Sequence, residues 1–125
     1  MNTEVRVLVV DDDPVILKLL QVNFEMEGYS VTTASDGVKG LKAAREERPD
    51  VIISDVMMPH MNGLELVAAL DADDMTDAIP VILLSARAQE TDVSDGLDAG
   101  ANDYVTKPFD PLELIDRVQQ LLTHP

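Results

Sequence analysis

The residues of this 125-residue chain that could do chemistry fall just after its apolar runs. Val5-Arg6-Val7-Leu8-Val9-Val10 leads into Asp11-Asp12, and Val51-Ile52-Ile53-Ser54 leads into Asp55. Val81-Ile82-Leu83-Leu84 leads into Ser85, and Asn102-Asp103-Tyr104-Val105-Thr106 into Lys107. Carboxylates gathered at neighbouring strand ends repel one another, and each tends to keep a proton unless a positive charge stands beside it. A hard divalent cation such as Mg²⁺ is the simplest remedy, because carboxylate and carbonyl oxygens suit it and water completes its shell. Lys107 adds a point charge that can grip a phosphoryl or carboxylate oxygen, and Ser85 adds a hydroxyl that can donate to the same oxygen.

Each of these residues also has a plainer reading. Asp13 before Pro14 is an ordinary helix N-cap. A cap needs only one side chain, which leaves Asp11 and Asp12 better explained as ligands. Asp55 could be a turn residue ahead of Pro59, but it directly follows a buried strand and shares that strand's end with the acidic pair. Ser85 alone would satisfy nearby backbone groups, and only the constellation lifts it; Lys107 alone would be a solvated lysine, but its place before proline and beside an acidic cluster favours a role; Tyr104 reads equally as packing or as a rotamer switch. Met57, Met58 and Met61 read as local packing and contact surface, and His60 and His124 as solvent-exposed.

Positioning such residues requires an α/β protein in which short β-rich runs alternate with segments of helical period. Ile16, Leu20 and Phe24 form one apolar stripe after the Asp13-Pro14 start, and Gly28 stops that helix. The second run, Tyr29 to Ala34, is more polar and suits a sheet edge. It leads through Ser35-Asp36-Gly37 to a helix carrying Val38, Leu41 and Ala44. The nearly continuous apolar run before Asp55 suits a central strand covered on both faces. Asn62-Gly63 precedes a helix with Leu64, Val67 and Leu70, and residues 71–77 form an acidic solvated loop. A fourth helix near residues 89–99 closes at Gly100, and Asp110-Pro111 starts a fifth with Leu114, Val118 and Leu121 on one face. In an open parallel sheet ligands bind beyond the carboxyl ends of the strands, where these unusual residues fall.

Composition narrows the function. The hydrophobic share of 46% is enough for one compact core, and no apolar run approaches the length of a membrane span. The start of the chain lacks a signal-peptide layout. Absence of cysteine removes disulfides, thiolate metal sites and cysteine nucleophiles, and the expected compartment is the cytoplasm. A net charge of −15 repels phosphate backbones and anionic lipid, so neither direct nucleic-acid binding nor membrane binding is expected.

The segments Val9-Val10-Asp11-Asp12-Asp13-Pro14, Ser54-Asp55-Val56-Met57-Met58-Pro59, Leu84-Ser85-Ala86 and Asp103-Tyr104-Val105-Thr106-Lys107-Pro108-Phe109 are each weak signals alone. In this order, each at a strand end, they resemble the receiver domains of two-component response regulators over essentially the full chain. The resemblance implies a single doubly wound, flavodoxin-like (βα)5 receiver domain over residues 1–125, with a parallel five-stranded sheet in order 2-1-3-4-5 and no output domain. It implies that Asp55 is the nucleophile that becomes an aspartyl phosphate, taking the group from a sensor histidine kinase or a histidine phosphotransfer protein. Asp11, Asp12, Asp55 and the backbone carbonyl of Met57 would hold Mg²⁺, or Mn²⁺ in its place. Ser85 matches the switch hydroxyl, Tyr104 the aromatic whose rotamer follows it, and Lys107 the family's lysine, with a cis bond to Pro108. Met57 and Arg87, two beyond Asp55 and Ser85, flank the path of attacking water. Catalysis would be confined to the chain's own phosphorylation and dephosphorylation. The added group, worth about −1.5 to −2 charges in model phosphoesters, would bias the face of residues 89–122 toward a downstream protein target. The chain would be a monomer or a phosphorylation-dependent dimer.

Three other functions compete. A Mg²⁺ phosphohydrolase on a similar sheet would need a second acid where Met57 stands, and a cap domain. A flavin-binding electron carrier would need a Ser/Thr-rich phosphate loop after the first strand and more than 3% aromatics. A phosphorylation-independent receiver-like interaction domain would have lost the acidic pair, the acceptor or the lysine, and all are present.

Overall fold

Period-two alternation with apolar residues on both faces, and a helix after every strand, leaves parallel pairing as the way to bury these segments. The computed structural model, which describes residues 4–86 and 89–123, shows that arrangement. The elements are β1 (Arg6–Val10), α1 (Pro14–Met26), β2 (Ser30–Ala34), α2 (Gly37–Glu47), β3 (Val51–Asp55), α3 (Gly63–Asp71), β4 (Val81–Ser85), α4 (Glu90–Asp98), β5 (Asp103–Thr106) and α5 (Pro111–Thr123). The five strands are all parallel, in the order β2-β1-β3-β4-β5, so the chain has the expected flavodoxin-like topology. Arg87 and His124 lie outside the described residues.

Alternation sorts the core into two layers. Leu8, Val10, Ile52 and Leu83 face α2, α3 and α4, meeting Ala44, Leu66, Val67, Leu70 and Val93. Val7, Val9, Ile53, Ile82 and Leu84 face α1 and α5, meeting Leu20, Phe24, Leu114, Ile115 and Val118. β3 and β4 are buried along their whole length, as their continuous apolar character requires, and β2 stands at the edge.

The helix starts are set by capping. Asp13 accepts from the Val15 N–H ahead of α1, and Asp36 from the Lys39 N–H ahead of α2. At α3, Asn62 and Glu65 form a reciprocal capping box. Gly28, just past α1, takes a φ of +91°, which a side chain would strain. Tyr29 lies before β2 and packs edge-on against Phe24, with ring centroids 5.3 Å apart.

Of the apolar residues on α2, Val38 does not face the core but is 54% exposed, because α2 turns its small residues Gly37, Gly40 and Ala44 inward. A Cβ at Gly40 would stand 2.9 Å from Val10 Cγ2, so close helix–sheet approach rather than a large apolar stripe docks this helix.

Candidate functional site

Register decides which side chains meet. Val10 pairs with Ser54, Asp55 with Leu84 and Ser85 with Thr106, so the carboxyl ends of β1, β3, β4 and β5 are nearly level. The residues at or just beyond those ends are Asp11, Asp55, Ser85 and Lys107. Backbone bonds hold them there: Asp11 N donates to Ala34 O, Val56 N to Leu84 O and Lys107 N to Ser85 O at 2.8 Å.

Asp11 and Asp55 are buried and Asp12 is exposed, yet the three carboxylates offer oxygens within 4.8 Å of one another. Lys107 reaches across the gap, its Nζ 3.2 Å from Asp11 Oδ2 and 3.4 Å from Asp55 Oδ1. Asp11 Oδ1 also accepts from the Asp13 N–H at 2.9 Å, so this carboxylate is held at both oxygens. The bond from Lys107 to Pro108 is cis, as the family resemblance implied.

Among the described residues, the site holds more negative than positive charge. Burial pushes the Asp55 carboxyl above its ordinary range, and the nearby Asp12 pushes the same way; the Lys107 ammonium and the Met57 N–H oppose without reversing it. Burial raises Asp11 too, against the Asp13 N–H, with the Asp55 charge adding to the rise and Lys107 opposing it. Lys107 is held above the usual lysine range: burial works against its charge, but Asp11 and Asp55 more than compensate. A donor set of three carboxylates, strained by one another even with a lysine present, fits a hard divalent cation.

Ser85 is fully buried at the end of β4. Tyr104 is 9% exposed, its ring turned inward beneath α4. Met57 is exposed beside Asp55, and His60, also exposed, adopts a left-handed φ of 69° in the β3–α3 loop. That loop is tightly seated. A Cβ at Gly63 would meet Asp55 O and stand 2.9 Å from Val56 Cα, and one at Gly37 would collide with Met61.

Sequence reasoning missed these two supporting glycines, and the signal for both was glycine at or just inside a helix start. It also missed Ser54, whose buried Oγ donates to Asp55 O at 2.9 Å, and the two-bond contact of Arg117 Nη1 with Asp103 at 2.8 and 2.9 Å.

A doubly wound sheet with an acidic trio and a lysine at its carboxyl edge defines a class of domains suited to a divalent cation and an oxyanion, and comparison with known proteins narrows the class. The sequence matches the response regulator receiver domain over residues 7–119, and the chain belongs to that family. It is 45% identical over 117 residues to the DNA-binding dual master transcriptional regulator RpaA of Synechocystis sp., covering 94% of this chain and 48% of that protein. It is also 45% identical to the alkaline phosphatase synthesis transcriptional regulatory protein PhoP of Bacillus subtilis, again over 94% of this chain and 48% of that one. The chain therefore spans about half the length of these relatives. Among solved structures, the Vibrio cholerae chemotaxis protein CheY4 superposes with a TM-score of 0.91 at 35% identity, covering 96% of this chain and all of that one (100%). The Francisella response regulator 1452 receiver domain gives 0.90 at 38% identity, covering 96% and 98%.

Proposed function

We propose that this receiver domain is a phosphorylation-dependent switch in which Asp55 accepts a phosphoryl group from a phosphohistidine on a sensor kinase or phosphotransfer protein. The observation that carries this reading is the placement of a buried carboxylate at the end of the central strand β3, 3.4 Å from the Lys107 ammonium and grouped with Asp11 and Asp12. An Asp55 oxygen attacks phosphorus, the P–N bond breaks, and the imidazole nitrogen leaves with the electron pair. Attack by water on phosphorus later returns the carboxylate and inorganic phosphate.

Such transfer depends on positioning and charge cancellation more than on covalent chemistry. Asp11, Asp12, Asp55 and the Met57 carbonyl would hold Mg²⁺, or Mn²⁺ in its place. When bound, the ion supplies charge that ionises the acceptor and neutralises phosphoryl oxygens. Lys107, freed from sharing its proton donors between two carboxylates, donates to a phosphoryl oxygen. Ser85 donates to another, and Tyr104 follows that movement. The face of residues 89–122 then binds a downstream protein. A surface of charge −15 supports a protein target over direct contact with nucleic acid by this domain.

The experiment is brief incubation with acetyl phosphate and Mg²⁺ followed by intact-mass measurement. The expected result is a gain of about 80 daltons, one phosphoryl group, lost in Asp55→Asn; no gain in the unsubstituted protein would sink the proposal.

A further inference from the structure

Gly96 lies in the interior of α4, where glycine ordinarily weakens a helix, and it is buried. The space a side chain would take belongs to the ring of Tyr104. A Cβ at residue 96 would stand 2.8 Å from Tyr104 Cδ2, 3.1 Å from Tyr104 Cε2 and 3.1 Å from Leu83 Cδ1. Leu83 is 0% exposed inside β4 and has nowhere to retreat, so the ring is the group that must yield.

The helix above that ring is strongly acidic. Gln89 supplies no side-chain cap, and the segment Glu90-Thr91-Asp92-Val93-Ser94-Asp95-Gly96-Leu97-Asp98 carries four acidic residues and no Lys or Arg. Asp95 and Asp98 fall toward the negative end of the helix dipole. The seating of α4 therefore depends on what its inner face, Val93, Gly96 and Ala99, rests upon.

We infer that Gly96 is a positioning residue of the switch: its missing Cβ is the seat of the inward Tyr104 ring, so residue 96 sets the balance between inward and outward ring and the docking of α4. The step from ring position to partner binding rests on the receiver reading above, whereas the seat itself does not.

The chain has two tyrosines, Tyr29 and Tyr104, so 3-fluorotyrosine labelling gives two fluorine resonances, assigned with Tyr29→Phe. In the unphosphorylated protein the Tyr104 resonance is expected to show the small H₂O/D₂O shift of a buried ring. In Gly96→Ala it is expected to take the larger shift of an exposed ring, with α4 amides exchanging severalfold faster. A merely helical glycine gives the opposite sign, because alanine favours the helix and slows exchange. A ring still buried, with slower exchange, would overturn the seat. In a Tyr104→Ala background the same substitution is expected to slow α4 exchange, the ring being gone; faster exchange there would also overturn it. Should Gly96→Ala fail to fold, the double variant decides: its folding supports the seat and its failure refutes it. Phosphoryl uptake from acetyl phosphate, read on the same samples, separates the two proposals. No uptake by the unsubstituted protein sinks the receiver reading and leaves the ring shift to judge the seat, while uptake with an unmoved ring sinks the seat alone.

Discussion

Asp55 and Asp11 sit at odds with their own charge, and that conflict has a sign in solution. Both carboxyls are raised in the folded state, chiefly by burial, so the stability they contribute is present below the unfolded carboxylate range and is lost as pH rises through their folded values. At neutral pH without metal they weaken the fold. Asp55→Asn is therefore expected to melt higher than the unsubstituted protein at pH 7 in chelator, with the gain shrinking toward pH 4; calorimetry across that range checks it. Lys107, whose Nζ lies 3.2 Å from Asp11 Oδ2, is expected to keep that partner in the variant. Lys107→Ala goes the other way, leaving two buried carboxylates without their shared donor at a cost of about 1–3 kcal/mol in chelator. Urea melts measure that loss. If the variant proves as stable as its parent, the lysine does not bridge the pair. Asp11, Asp12, Asp55, Ser85 and Lys107 could be grouped from the sequence because each stands at or just past the end of an expected strand. Ser54, Gly63 and Gly96 could not, because their parts depend on a backbone or ring that only tertiary contact supplies.

At the scale of the element, what sequence shows best is punctuation. Asp13-Pro14, Asp36-Gly37 and Asn62-Gly63 start helices where their capping chemistry requires. The continuous runs of β3 and β4 are buried, as runs without polar alternation should be. The inner face of α2 could not be read from its apolar residues, since the helix buries Gly37, Gly40 and Ala44 and leaves Val38 exposed. The acidic 71–77 loop proved better anchored than its composition suggested. Thr76 is 1% exposed with its hydroxyl donating to Leu70 O, and Asp73 accepts from Arg45 Nε at 2.7 Å. A test of this level lies at α3, whose capping box fixes the end of the loop that follows Asp55. Asn62→Ala is expected to cost about 1 kcal/mol by denaturant melts, and a loss near zero would mean that tertiary packing alone sets that helix start.

The molecule as a whole spends buried area on an edge of like charges. Two apolar layers flank the sheet, and among the described residues Asp11, Asp12 and Asp55 gather at its carboxyl edge with Lys107 against two of them. Such an edge is costly unless a cation completes it, and a cation bound by the folded state alone must stabilise that state by mass action. The direct measurement is the melting temperature at pH 7 as Mg²⁺ is titrated, in the unsubstituted protein and in Asp55→Asn. At about ten times the dissociation constant the unsubstituted protein is expected to gain about 1.4 kcal/mol, or roughly 4–7 °C for a domain of this size, with the gain reduced or lost in Asp55→Asn. An unsubstituted protein whose melting is indifferent to Mg²⁺, or a variant that gains as much as its parent, would contradict the assignment of Asp55 to a metal-completed phosphoacceptor site.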